Sequence, residues 1–131
     1  MIAEKLLLSA DYQSIDLIIP VPMHGKKLHK RGYNQSLLIA EGIAEVLKIP
    51  VDSTTLIKVK ATNTQTNKNR SLRHDDMKNV FSIQNVDIFR DKHLLLVDDV
   101  ITTGATIEAC ALEISKGKPG KLSIAAVAFA D

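Results

Sequence analysis

Val97-Asp98-Asp99-Val100-Ile101-Thr102-Thr103-Gly104-Ala105-Thr106 joins an apolar run, two adjacent acids and a turn rich in threonine and glycine. Before it, His93 to Val97 is a continuous apolar run bounded by charge, which reads as a strand buried on both faces. After it, Ile107, Cys110, Ala111 and Ile114 recur at helical spacing. The strand brings Asp98 and Asp99 to the rim of a sheet, where two carboxylates pointing different ways can accept hydrogen bonds from neighbouring sugar hydroxyls. The turn from Thr102 to Thr106 opens a helix, and the amides and positive dipole end of a helix start suit a phosphate monoester. Gly104 lets backbone approach the anion, and the threonine hydroxyls add donors. Carboxylates beside a phosphate repel it unless hydroxyls or Mg²⁺ lie between, a condition that a phosphorylated sugar meets. The bland alternative is a plain strand–turn–helix with Asp99 or Thr102 as the cap. A lone Asp-Asp would favour it; the full pattern favours a binding site.

Working outward, Asp16 to Val21 is a short buried strand stopped by Pro20 and Pro22. Tyr33 to Leu47 is an amphipathic helix started by Tyr33 or Asn34 and followed by Pro50. Thr54 to Val59 and Phe81 to Ile83 are further strand candidates, and a last strand runs from about Leu122 to Phe129. Residues 2–10 could form a short helix. Strands alternating with helices indicate a mainly parallel, twisted α/β sheet with helices on both faces, in one domain spanning residues 1–131. Ligands of such sheets bind beyond the carboxyl ends of the strands, so residues 22–35, 60–79 and 98–106 converge on one crevice.

Composition narrows the function classes. Of 131 residues, 45% are hydrophobic and 24% charged, as in ordinary globular domains, and the net charge of +2 does not by itself imply a nucleic-acid partner. Aromatics at 4% are too sparse for a single-strand binder that stacks bases. The one cysteine, Cys110, excludes an internal disulfide and reads as core. His24, His29, His74 and His93 have no paired metal-ligand spacing. No membrane helix or signal peptide is apparent, and a reduced, cytoplasmic setting is expected.

Two other segments carry charge to the crevice. His24-Gly25-Lys26-Lys27-Leu28-His29-Lys30-Arg31-Gly32-Tyr33-Asn34-Gln35 contains no acid and directly follows a strand. Arg31 could bind a diphosphate in bidentate fashion, although a solvated basic turn is the competing account. Lys60 to Lys78 is almost free of apolar residues, and a loop of that length in a compact domain is more often functional than idle.

The segment from Val97 to Thr106 resembles the phosphoribosyl diphosphate (PRPP) signature of type I phosphoribosyltransferases. The resemblance implies that Asp98 and Asp99 hold the ribose hydroxyls, and that Thr102, Thr103, Gly104, Ala105 and Thr106 hold the 5-phosphate. Ala105 stands where many members have a second glycine. Val21-Pro22 followed by Arg31-Gly32-Tyr33-Asn34-Gln35 resembles the ComF family of competence-associated proteins of this type. By position, Met23, His24, Gly25, Lys26 and Lys27 would form the diphosphate loop, with Arg31, Asn34 and Gln35 matching the family motif. Gln65, Lys68, Arg70 and Arg73 would belong to a mobile hood loop over about residues 60–79, which here carries an unusual Asp75-Asp76. ComF proteins usually carry a cysteine-rich zinc module upstream; its absence from these residues implies either a shortened natural protein or the catalytic-type domain alone.

The implied reaction is displacement at the ribose anomeric carbon of PRPP by a nucleobase or amine acceptor, with Mg²⁺ bridging ligand oxygens and diphosphate leaving. Two alternatives stay open: a non-catalytic PRPP- or nucleotide-sensing module, and an accessory protein in DNA uptake, where nucleic acid enters by competence analogy alone. Dimers are common among type I relatives, so the resemblance leaves a homodimer open without fixing the oligomeric state.

Overall fold

The computed structural model describes residues 14–23, 32–59, 79–101 and 103–129. In chain order it contains β1 (Leu17–Pro20), α1 (Gln35–Leu47), β2 (Leu56–Lys58), β3 (Phe81–Ile83), β4 (His93–Ile101), α2 (Ala105–Ser115) and β5 (Lys121–Phe129). The expected helix over residues 2–10 and the polar stretch from Lys60 to Lys78 lie outside the described residues.

The apolar runs of β1 and β4 dictate the layering. Successive strand residues face opposite ways, so an unbroken run needs cover on both sides. On one side Leu17, Ile19, Leu94 and Leu96 pack with Ile107, Cys110 and Ile114 of α2. On the other, Ile18, Leu95 and Val97 meet Ala40 and Ile43 of α1. The result is a parallel sheet in the order β1-β4-β5 between two helices, as the alternation of elements predicts. Val51 extends it by a single parallel bridge to Ile18.

Two expectations need correction. The apolar run ends at Val97, but β4 continues through both acids to Ile101, because β5 supplies partners as far as Phe129. Asp98 and Asp99 therefore stand within the strand, beyond the end of β1, which stops opposite Val97 at Pro20. Second, β2 and β3 do not join the parallel sheet. They form a separate antiparallel pair, with Lys58 opposite Phe81.

Candidate functional site

The site begins where β1 stops and β4 runs on. Asp98 is buried and Asp99 half-buried. Two acids in a strand are unfavourable on propensity, and local hydrogen bonds compensate: the Asp99 amide donates to Asp98 Oδ1 at 2.8 Å, and the Val100 amide to Asp99 Oδ1 at 2.9 Å. Burial, reinforced by the neighbouring Asp99 carboxyl, pushes Asp98 up to about 7 from an ordinary 3.8. Burial thus favours the protonated form of Asp98.

The start of α1 forms the opposite wall. Asn34 is its N-cap: Oδ1 accepts from the Ser36 amide at 2.9 Å and the Leu37 amide at 3.4 Å, while Nδ2 donates to the Val21 carbonyl at 3.2 Å. Ser36 is buried, and its hydroxyl donates to Asp98 Oδ1 at 3.4 Å. Gln35 is exposed between them. The three consecutive residues therefore do different things: Asn34 fastens helix to strand, Gln35 faces outward, and Ser36 reaches back to the acid.

At the other end of the pair, α2 opens on Gly104, whose φ of 84° lies in the left-handed region. A Cβ there would meet nothing within 4 Å, so conformation, and not space, calls for glycine. The Ala105 amide donates to Thr103 Oγ1 at 3.2 Å, and the first intrahelical bond runs from the Glu108 amide to the Gly104 carbonyl. The amides of Thr106 and Ile107 fall in the first turn, where no carbonyl of the helix itself reaches them. A small cavity of about 30 Å³ lies here, lined by Asp98, Val100, Ile101, Gly104, Thr106 and Ile107. Ala105 is turned inward and buried, so its side chain packs and does not line the cavity.

A larger cleft of about 220 Å³ joins Met23, Asn34, Gln35, Ser36, Asp98 and Asp99 with Val21, Pro22 and Lys58. Asp98 lines both spaces, so acids, helix start and the end of β1 do converge. Lys58 is the residue that sequence reasoning passed over. It lies in the second strand candidate, but only its pairing opposite Phe81, with Nζ 6.0 Å from that ring's centroid, turns it toward the acids. A lysine ending an apolar Leu-Ile run was the available signal. Ser36 gave none, because a serine in a first helical turn is commonplace. An adjoining pocket of about 470 Å³, with Tyr33, Leu37, Leu38 and Ile57 in its wall, shares Met23, Asn34 and Lys58 with the cleft.

Thr102, His24, Gly25, Lys26, Lys27, Arg31, Gln65, Lys68, Arg70 and Arg73 lie outside the described residues. Cys110 is fully buried, and burial, with Asp98 nearby, pushes its thiol well above the ordinary range. It is a core residue, as its helical position predicts.

Comparison with known proteins follows this geometry. A profile of the phosphoribosyl transferase domain matches residues 33–131. The DNA utilization protein YhgH of Salmonella typhimurium is 36% identical over 103 residues, covering 79% of this chain and 44% of that protein. Competence protein F of Haemophilus influenzae is 38% identical over 102 residues, covering 77% and 43% respectively. The solved purine phosphoribosyltransferase from Pyrococcus horikoshii superposes with a TM-score of 0.60 at 25% identity, covering 98% of this chain and 67% of that one. The chain spans less than half the length of the curated relatives it matches.

Proposed function

The chain belongs to the phosphoribosyl transferase domain family and has the type I fold, and from that premise we propose that its cleft binds PRPP. The observation that carries this reading is the run of β4 into Gly104: one strand sets two carboxylates beside a cavity that ends on the first turn of α2. A ribose bound by its 2′ and 3′ hydroxyls on Asp98 and Asp99 would place its 5-phosphate at Thr103, Gly104 and Thr106. Its anomeric carbon would then face the 220 Å³ cleft, toward Met23 and Lys58.

Mg²⁺ fits the acid pair on chemical grounds. Burial disfavours the ionised form of Asp98, and a divalent ion beside it would restore that form. Among the described residues no three His, Cys, Asp or Glu side chains gather as a metal site. Two carboxylates suit an ion that takes its remaining oxygens from ligand and water. Held by Asp98 or Asp99, Mg²⁺ would supply neutralisation of the diphosphate charge. The protein's own contribution is positioning: the pair orients the diol, the α2 start holds the phosphate, and Lys58 at the cleft meets the leaving diphosphate.

We favour transfer to a nucleobase or amine acceptor. The second reading is a PRPP-binding module without turnover, working within a longer DNA-uptake protein; it draws on the names of relatives longer than this chain. Calorimetric titration with PRPP and Mg²⁺, followed by diphosphate-release assays over a panel of nucleobases and amines, separates the two. Binding with release supports transfer, and binding alone supports the module. No binding by wild type, with Asp99→Asn and Thr106→Val indistinguishable from it, would sink the central idea. Among the described residues no helix is long and apolar enough to cross a membrane.

A further inference from the structure

We propose that Ser36 is a positioning residue for Asp98, and that Asn34 sets its placement, so that the two act on the ligand through the orientation of that carboxyl group. The inference rests on the PRPP-binding reading and deepens it.

Three observations carry it. Ser36 is buried at 5% exposure on the first turn of α1, so its hydroxyl has no ready access to bulk water and points to Asp98 Oδ1. The same Oδ1 accepts the Asp99 amide, so these two donors meet one oxygen of the carboxylate. Two donors on one oxygen fix the rotation of a carboxyl group that lines the cleft. Finally, Asn34 fixes where Ser36 stands, because one side chain both caps α1 and donates to the carbonyl of Val21 at the end of β1.

The electrostatics agree with the geometry. The first turn of α1 carries no acidic residue of its own. A helix start favours nearby negative charge, and Asp98 is the carboxylate that Ser36 brings to it. A diol-binding acid must keep its orientation before the ligand arrives, since an error of a fraction of an ångström weakens both of its hydrogen bonds. In the Tyr33-Asn34-Gln35-Ser36 stretch, Gln35 is then the exposed position on the cleft, while Asn34 and Ser36 also hold the frame.

The test uses the full chain and two probes, ribose 5-phosphate with Mg²⁺ and inorganic phosphate, each titrated by calorimetry. Ser36→Ala is expected to weaken ribose 5-phosphate about tenfold, the effect of losing a hydrogen bond to a charged group. Inorganic phosphate, which needs only the α2 start, is expected to bind as in wild type. Ser36→Thr restores the hydroxyl and is expected to recover most of the loss. Asn34→Ser keeps an N-cap oxygen but cannot span to Val21, and is expected to weaken ribose 5-phosphate about threefold with helix content intact by circular dichroism. Equal ribose 5-phosphate affinity in Ser36→Ala and wild type overturns the inference while leaving the PRPP reading in place. So does a loss matched by an equal loss for inorganic phosphate, which would mark a general collapse of the site. Failure of wild type to bind either PRPP or ribose 5-phosphate overturns the functional reading itself, and the positioning role with it.

Discussion

Asp52 and Asp98 show two outcomes of partly burying a carboxylate. Around Asp52, in the turn before β2, burial alone would raise the pKa. Hydrogen bonds from the hydroxyl and amide of Thr55 and from Thr54 outweigh burial and leave the carboxyl below its ordinary value. Its contribution to stability is therefore present at neutral pH and lost as the pH falls through the lowered value. Asp98 runs the other way. Its pKa rises to about 7, so its contribution is complete below the ordinary carboxylate range and is lost as the pH rises through 7. Asp98→Asn removes the charge that burial penalises. The variant is expected to melt closest to wild type below about pH 4, and to gain on it with each pH unit up to about pH 7, reaching about 10 °C or more above it at about pH 8. Parallel melting curves for the two proteins across that range would contradict the assignment. The same variant should lose PRPP binding, so the acid would prove costly to the fold and necessary to the ligand. Lys58 invites a complementary experiment, because Lys58→Met keeps the stem and the packing on Phe81. If its ammonium meets the diphosphate, Lys58→Met weakens PRPP about tenfold and leaves ribose 5-phosphate unchanged. Equal losses for both ligands would place the charge at the sugar or the 5-phosphate instead.

At the scale of elements, β4 does two jobs at its two ends. Its carboxyl end carries the acid pair, while its amino end is pinned by His93. That ring lies within hydrogen-bond distance of two serine hydroxyls, Ser14 Oγ at 2.9 Å from Nδ1 and Ser123 Oγ at 2.7 Å from Nε2. Its backbone amide donates to Asp16 Oδ2, and Asp16 returns an amide to its carbonyl. The ring thereby ties the approach to β1 to β4 and β5. His93→Leu would fill the space but remove both serine contacts, at a cost of about 1 kcal/mol in urea unfolding with PRPP affinity unchanged. The sequence places His93 at the start of a strand and says nothing of this role, because both serines are distant in the chain. The extent of β4 escapes for a related reason. Periodicity reports burial, and burial ends at Asp98, whereas the ladder persists as long as β5 offers partners. Likewise β2 and β3 share β-branched and aromatic character with the sheet strands, and nothing local distinguishes an antiparallel pair from two more parallel strands.

At the scale of the whole molecule, the two ends of the parallel sheet separate stability from function. The α/β layering was legible because unbroken apolar runs on β1 and β4 have no other stable solution than cover on both faces. The acid pair and the glycine turn were legible because they sit in one contiguous stretch. Ser36 and Lys58 were not, since each reaches the cleft only through tertiary packing. The far end of the sheet is legible in neither way. There the connection before β4 crosses the one before β5: the Asp91 amide donates to the Lys118 carbonyl at 3.0 Å, and the Gly120 amide to the Lys92 carbonyl at 2.9 Å. A Cβ on Gly120 would stand 2.9 Å from the Asp91 carbonyl oxygen, closer than backbone tolerates. Gly120→Ala must therefore push the two connections apart, with a loss of about 1–3 kcal/mol in denaturant unfolding. Since β4 lies between this crossing and the acids, and distant sites act independently, PRPP affinity is expected to stay within about twofold of wild type. Asp99→Asn should give the reverse, a loss of binding in a protein at least as stable. A Gly120→Ala variant that folds fully yet binds PRPP poorly would show that the sheet transmits strain along β4, and that the two ends are coupled.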